Sequence, residues 1–251
     1  MKALITGASS GIGRDMAHVL AEQGWELILV ARRTNLLEEL AESLPTACRV
    51  ISADLGDPAA CRRLYEQTKE DGVDMLVNNA GFGLFGEFTD TELEREEAMI
   101  DLNIKAVHIL TKLFLKDFVA RDRGRILNVA SIAGFAPGPL MATYYATKAY
   151  VLRLSLALRE ELRRRGSKVV VSALCPGPVD TEFNQVADVK FNLAGLNSRQ
   201  VAEYAIKKTL QGKAVILPST LMKLAGFGAG MLPAALVARV VYHLQSKKGG
   251  K

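Results

Sequence analysis

Residues Ala3-Leu4-Ile5-Thr6-Gly7-Ala8-Ser9-Ser10-Gly11-Ile12-Gly13 form a short apolar run that passes directly into a glycine-rich turn. A helical pattern follows, with apolar residues at 16, 17, 19 and 20, and it stops at Gly24. Strand, glycine turn and helix are the first half of a βαβ unit. This stretch therefore predicts a parallel sheet that begins at the N-terminal end of the chain.

The three glycines of the turn have separate expected tasks. Gly7 allows a tight exit from the strand, Gly11 lets the backbone approach a pyrophosphate, and Gly13 lets the helix pack closely on the sheet. The start of the helix offers unpaired N–H groups and the positive end of its dipole to a phosphate. The spacing is GxxxGxG rather than GxGxxG, and we expect a nucleotide at this turn.

Apolar strands and helical stretches alternate along the rest of the chain without a break in composition. Such alternation predicts an α/β fold with one doubly wound parallel sheet of the Rossmann type in a single domain. We expect residues 1–217 to form a dinucleotide-binding catalytic domain and 218–251 an apolar helical extension of the same domain. Further strands are predicted at 26–31, 49–53, 75–78, 125–130, 169–174 and 213–217.

The end of the second strand predicts which dinucleotide fits. An NAD site places an acidic residue there, about twenty residues after the glycines, whereas an arginine accommodates a ribose 2′-phosphate. Arg32 and Arg33 occupy this position, and residues 27–37 contain no acid. We expect NADPH rather than NADH; the alternative is a pair of solvated arginines at a helix start.

The stretch from Ser131 to Lys148 holds the candidate catalytic groups. Its prolines and glycines all lie before Leu140, so the first half is predicted to be a loop and the second half a helix. On a helix, Tyr144 and Lys148 share one face. A neighbouring ammonium favours the phenolate form of a tyrosine, so we expect Lys148 to lower the pKa of Tyr144. The alternative is an ordinary surface pair.

Six motifs in order resemble the short-chain dehydrogenase/reductase family, in its compact single-domain branch, from residue 3 to about residue 217. Tyr144 lies thirteen positions after Ser131, as in the family. The motifs are Thr6-Gly7-x-x-x-Gly11-x-Gly13, Asn78-Asn79-Ala80-Gly81, Asn103, Ser131, Tyr144-x-Ala146-Thr147-Lys148 and Pro176-Gly177-x-x-x-Thr181.

The resemblance implies a role for each matching residue. Tyr144 would be the general acid and base, and Ser131 would bind the substrate oxygen. Lys148 would lower the Tyr144 pKa and hold the nicotinamide ribose, while Asn103 would support a proton relay through water. The implied cofactor contacts are Gly7, Ser9, Ser10, Gly11, Ile12, Gly13, Arg32, Arg33, Asp54, Leu55, Asn79, Ala80, Gly81, Tyr144, Lys148, Pro176, Gly177, Val179 and Thr181.

The substrate is expected to meet variable segments of the chain. Residues 182–197 are long enough to act as a lid over the site. Their apolar side chains predict an apolar pocket or simply pack the loop down, and we weigh the two equally. The residues concerned are Phe183, Val186, Val189, Phe191, Leu193 and Leu196, with Phe135, Leu140 and Met141 opposite.

The C-terminal stretch from Leu221 to Val241 is mostly apolar. Its longest uncharged run, residues 224–238, is too short and too rich in glycine for a bilayer span. We expect it to cover the substrate cleft; a subunit contact or an amphipathic segment on a membrane surface are the alternatives.

Composition excludes little and agrees with a small anionic ligand. The chain has 251 residues, 49% of them hydrophobic, with a net charge of +5 that is spread along the sequence, so nucleic-acid binding gains little support. Its three cysteines show no metal-ligand spacing, so we expect no metal site and no disulfide. The N-terminal sequence lacks a signal-peptide pattern, and a cytoplasmic location is expected.

The combined pattern predicts an NADPH-dependent oxidoreductase that interconverts a carbonyl and an alcohol. An apolar ketone or a 3-oxoacyl compound is the expected substrate, and a homodimer or homotetramer the expected assembly. A redox-sensing protein that binds NADPH without turnover is the alternative, although such a sensor needs no proton donor.

Overall fold

Seven parallel strands form one sheet in the described part of the chain, in the order β3-β2-β1-β4-β5-β6-β7. The computed structural model describes residues 1–183, 196–219, 222, 224, 228 and 232–246. The strands are β1 Lys2–Thr6, β2 Glu26–Ala31, β3 Cys48–Ser52, β4 Met75–Asn78, β5 Arg125–Val129, β6 Val170–Leu174 and β7 Val215–Ile216. The order reverses between β1 and β4, and ligands bind at such a switch point in open α/β sheets.

Helices cover both faces of the sheet. Alternate residues of one strand serve the two faces: Ile5 of β1 packs with Leu20 and Val201, whereas Leu4 packs with Phe114 and Leu162. The predicted doubly wound sheet is therefore confirmed. The helices are α1 Gly11–Glu22, α2 Thr34–Ser43, α3 Pro58–Thr68, α4 Leu93–Ile100, α5 Val107–Ala120, α6 Ala142–Arg164, α7 Ser198–Leu210 and α8 Ala234–Ser246.

Most strand boundaries lie within two residues of the prediction, because glycine, proline and polar residues end the apolar runs. β7 is shorter than predicted, at Val215–Ile216. Residues 93–120 are helical without a break, and a π turn at Asp101–Ala106 joins α4 to α5. Asn103 thus lies inside a π turn.

The C-terminal helix α8 is amphipathic. Val237 and Gln245 are buried, whereas Leu236, Val240 and Leu244 are exposed. Among the helices of the described residues, none combines the length and the apolar character needed to span a bilayer. Most of the expected lid, residues 184–195, lies outside the described residues.

Candidate active site

One cleft of about 520 Å³ opens at the carboxyl ends of the strands. It brings together every predicted site residue except Gly13 and Asn103. The predicted residues that line it are Gly7, Ser9, Ser10, Gly11, Ile12, Arg32, Arg33, Asp54, Leu55, Asn79, Ala80, Gly81, Ser131, Tyr144, Lys148, Pro176, Gly177, Val179 and Thr181.

Asn79 fixes the glycine turn at the centre of the cleft. Its amide Nδ2 donates to the carbonyl oxygens of Thr6 and Gly7, at 3.1 Å each. Gly7 has φ +64°, and a Cβ at Gly13 would lie 2.4 Å from both the Gly7 oxygen and Asn79 Nδ2. Gly13 therefore acts in packing the helix against this turn, which is the task the sequence predicted for it, and it does not line the cleft.

The end of the cleft next to β2, called the far end below, contains an arginine that is hydrogen-bonded to a carboxylate and a hydroxyl. Arg33 donates to the Ser9 hydroxyl at 3.2 Å and to the Glu182 carboxylate at 2.8 Å. Hydrogen bonds from Arg33 and from Ser10 hold the pKa of Glu182 below its ordinary value. Arg33 and Ser10 thus already bind one negative group, and a phosphate would use the same donors.

Two hydroxyls and an ammonium converge on the opposite wall of the cleft. Ser131 follows β5 and is buried; its hydroxyl accepts from the Ala133 N–H at 3.1 Å and lies near the Tyr144 hydroxyl, whose pKa it lowers. Lys148, one turn along α6, lies with its Nζ 5.8 Å from the centre of the Tyr144 ring. The same Nζ donates to the Val129 carbonyl oxygen at 2.9 Å. The structure therefore brings together the three groups that the sequence put forward.

The pKa values in this structure differ from the expectation for Lys148 and Tyr144. Burial raises the pKa of Tyr144 to about 12, against the opposing effect of the Ser131 hydrogen bond. Burial also lowers the pKa of Lys148 to about 8. Lys148 therefore does not lower the Tyr144 pKa as predicted. Loss of hydration on burial has the largest effect on the pKa of both groups, and the Lys148 ammonium is hydrogen-bonded to a backbone oxygen instead.

Asn103 does not line the cleft but is hydrogen-bonded to residues next to it. Its Nδ2 donates to the Phe82 carbonyl oxygen at 2.9 Å and to the Thr147 hydroxyl at 3.1 Å, and its Oδ1 accepts from the Phe82 N–H at 3.1 Å. The residue is fully buried. Its side-chain amide is therefore committed to these bonds, and its part in a proton relay stays a prediction.

The substrate end of the cleft is mainly apolar. Met141 and Phe183 line it, and the rings of Tyr144 and Phe183 lie 5.5 Å apart. Phe135 packs instead against a cluster containing Val107 and Val151. Leu196 packs against the main core, whereas Val186, Val189, Phe191 and Leu193 lie outside the described residues.

Sequence reasoning missed several cleft residues that come from distant parts of the chain. Met222 and Gln245, from the C-terminal region, both line the cleft. Their position agrees with the expectation that this region covers the substrate site. Neither a motif nor a periodicity marks them, because their contacts depend on where the tail folds back.

A dinucleotide fits the residues that are present. The positive φ angles at Gly7 and Gly11 bring backbone to the wall of the cleft, and α1 begins there with no acidic residue in its first turn. The first N–H groups of a helix in this position bind phosphate. Arg33 adds a cation at the end where a ribose 2′-phosphate would lie.

Comparison with known proteins agrees with this geometry. The family model described as short chain dehydrogenase matches residues 1–190. A short-chain dehydrogenase from Sphingobium yanoikuyae in complex with NADPH is similar in structure, with 33% identity, a TM-score of 0.81 and coverage of 92% of this chain and 94% of that one.

Two further solved structures are similar to this chain. A bulky-bulky ketone specific alcohol dehydrogenase from Comamonas testosteroni has 29% identity and a TM-score of 0.77, with coverage of 93% of this chain and 95% of that one. A short chain dehydrogenase/reductase from Burkholderia phymatum in complex with NAD shares the fold at 24% identity, with a TM-score of 0.83 and coverage of 90% and 91%.

Proposed function

This chain belongs to the short-chain dehydrogenase/reductase family, and on that premise we propose that it is an NADPH-dependent reductase of an apolar ketone or 3-oxoacyl compound. The observation that carries the proposal is the contact between the Ser131 and Tyr144 hydroxyls on the wall of the cleft, with the buried Lys148 beside them.

Tyr144 is the proton donor in this proposal. With a pKa of about 12 it is a neutral phenol at pH 7, and reduction of a carbonyl consumes one proton at oxygen. Ser131 donates a hydrogen bond to the same oxygen and stabilises the negative charge that develops there. The bound dihydronicotinamide supplies the hydride. In alcohol oxidation, the phenolate form of Tyr144 would accept the hydroxyl proton instead.

Lys148 and Asn103 have supporting roles. Lys148 places a cation beside Tyr144 on the cleft wall, at the cost of its own hydration, and would hold the ribose of a bound cofactor. Asn103 fixes the backbone at Phe82 and the Thr147 hydroxyl of α6. Both keep the phenol in one position, which favours a single geometry for proton transfer.

The preference for NADPH rests on the charge at the far end of the cleft. Arg33 already pairs with the Glu182 carboxylate and with the Ser9 hydroxyl, the kinds of partner that a phosphate ester would replace or join. The NADPH bound by the Sphingobium yanoikuyae relative supports this preference; the NAD complex from Burkholderia phymatum is a neighbour in fold alone.

The substrate class rests on the apolar lining near Tyr144. Met141, Phe183 and Met222 provide that lining. The bulky ketones named for the Comamonas testosteroni enzyme support a substrate of this kind.

A carbonyl panel tests the proposal. The purified protein is mixed with NADPH or NADH and with alkyl methyl ketones, aryl ketones, 3-oxoacyl thioesters and small charged aldehydes, and loss of the reduced cofactor is followed by absorbance. We expect turnover with apolar ketones or thioesters, and faster turnover with NADPH. Turnover confined to the charged aldehydes would contradict the substrate class, and no turnover with any carbonyl would overturn the reductase assignment.

The homo-oligomer predicted from the sequence stays part of the proposal. Tyr150 of α6 is 36% exposed, and its hydroxyl is hydrogen-bonded to His108 of α5 at 2.7 Å. Light scattering on the purified protein would give the mass, and a monomer at micromolar concentration would contradict this part.

A further inference from the structure

Gln245 of the C-terminal helix α8 reaches the wall of the cleft. Its side chain is only 2% exposed and it lines the cleft. The Nε2 atom donates to the Tyr145 hydroxyl at 2.7 Å, across 100 residues of sequence. Its Oε1 is buried, and it has no hydrogen-bond partner among the residues that the structure describes. The amide is thus hydrogen-bonded at its nitrogen and unpaired at its buried oxygen, and a ligand in the cleft could pair with that oxygen.

The two side chains together present at least one free donor and one free acceptor. With Gln245 donating, its Oε1 remains an acceptor and the Tyr145 O–H remains a donor. If the amide is turned over, Tyr145 donates to Oε1, which leaves the amide N–H as donor and the phenol oxygen as acceptor. Both arrangements match an alcohol hydroxyl, which donates once and accepts at the same time.

The pair is held rigidly beside the reaction centre. The Tyr145 ring lies edge-on to the Tyr144 ring, with 6.3 Å between their centres. It packs on the backbone at Gly138, where a Cβ would lie 2.0 Å from the ring. Tyr145 belongs to the same apolar cluster as Met141 and Phe183. A polar pair is therefore fixed inside the apolar end of the cleft, one ring away from the proton donor.

We propose that Tyr145 and Gln245 bind a hydroxyl group of the substrate, remote from the carbonyl that is reduced. The inference rests on the proposed reductase activity and narrows its substrate to a hydroxyketone with an otherwise apolar body. The Gln245–Tyr145 pair then determines specificity, because an analogue without the hydroxyl leaves both buried polar groups without a partner.

Matched substrate pairs test the inference. Aryl ketones that carry a hydroxymethyl group at increasing distance from the carbonyl are compared with their ethyl isosteres, and kcat/KM is measured with NADPH. We expect at least one hydroxymethyl ketone to exceed its isostere by about tenfold or more. Gln245→Leu should remove this preference while it retains turnover of the ethyl isostere, which also shows that the variant folds.

Tyr145→Phe is the second variant, because it keeps the ring that packs on Gly138 and removes only the hydroxyl. It should also lose the preference. Gln200→Leu and Tyr242→Phe, at exposed positions of α7 and α8, are the matched controls and should leave the preference intact.

The outcomes separate the two proposals. Turnover of both members of every pair at equal kcat/KM, or a preference that survives both Gln245→Leu and Tyr145→Phe, would overturn the hydroxyl site and leave the reductase standing. Absence of turnover with every ketone would overturn the reductase, and the hydroxyl site with it.

Discussion

Replacing Lys148 with methionine should change how the stability of the protein depends on pH. Lys148 is 5% exposed, and no carboxylate forms an ion pair with it among the described residues. Burial lowers its pKa from 10.5 to about 8. The unfolded chain therefore binds the proton more tightly than the folded chain does, and folding is opposed wherever the lysine is charged in both states.

The magnitude follows from that difference in pKa. A difference of about 2.5 pH units corresponds to about 3 kcal/mol of lost stability at neutral pH. Because the folded pKa is the lower one, stability is regained as the pH rises from about 8 towards 10.5. Methionine removes this penalty at every pH, but it also leaves the Val129 carbonyl oxygen without the Nζ donor, which costs about 1 to 3 kcal/mol. At pH 7 the lost hydrogen bond therefore offsets part of the gain.

Urea unfolding at pH 7 and pH 10 measures the difference. The stability of the wild type minus that of Lys148→Met should rise by about 2 to 3 kcal/mol between the two pH values. Lys112→Met, at an exposed position of α5, is the matched control and should show no such rise, because its ammonium is solvated in both states. A difference that does not change with pH for Lys148→Met would refute the reasoning.

Three further substitutions test other parts of the cleft. Arg33→Ala should weaken NADPH binding by roughly tenfold to a hundredfold in a fluorescence titration and change NADH binding by less than about threefold; equal losses would remove the argument for a 2′-phosphate. Glu182→Gln frees Arg33 from an exposed ion pair and should tighten NADPH by up to about fivefold, whereas weaker binding would contradict competition for the arginine. Gly13→Ala should lower stability by about 1 to 3 kcal/mol in urea, since its Cβ would lie 2.4 Å from the Gly7 oxygen. Arg14→Ala is the control and should keep the wild-type stability. A Gly13→Ala variant as stable as the wild type would show that the glycine turn can move to make room for the Cβ.

The sheet could be predicted from sequence because its signals are local. The strands Glu26–Ala31 and Met75–Asn78 are apolar runs bounded by polar residues or glycine, and both boundaries are confirmed. The π turn at Asp101–Ala106 could not be predicted, since the helix after it is apolar over more than one face and a shift in its apolar pattern is not visible.

Some of the site residues could be predicted from local sequence signals, and others depend on how the chain folds. Parallel strands deliver their carboxyl ends to one edge, so Arg33, Asn79 and Ser131 reach a common cleft. The position of Gln245 depends on the return of a tail 100 residues after Tyr145. The direction of the Tyr144 pKa shift depends on burial, which a tyrosine–lysine spacing does not reveal.

The central claim, that Tyr144 supplies the proton, is tested most directly by separating cofactor binding from chemistry in Tyr144→Phe. NADPH affinity is measured by fluorescence, and the rate of a single turnover with an accepted ketone by stopped-flow absorbance. We predict an NADPH affinity within about threefold of the wild type and a turnover rate lower by roughly a hundredfold to ten-thousandfold. A variant that reduces the ketone at the wild-type rate would contradict the claim.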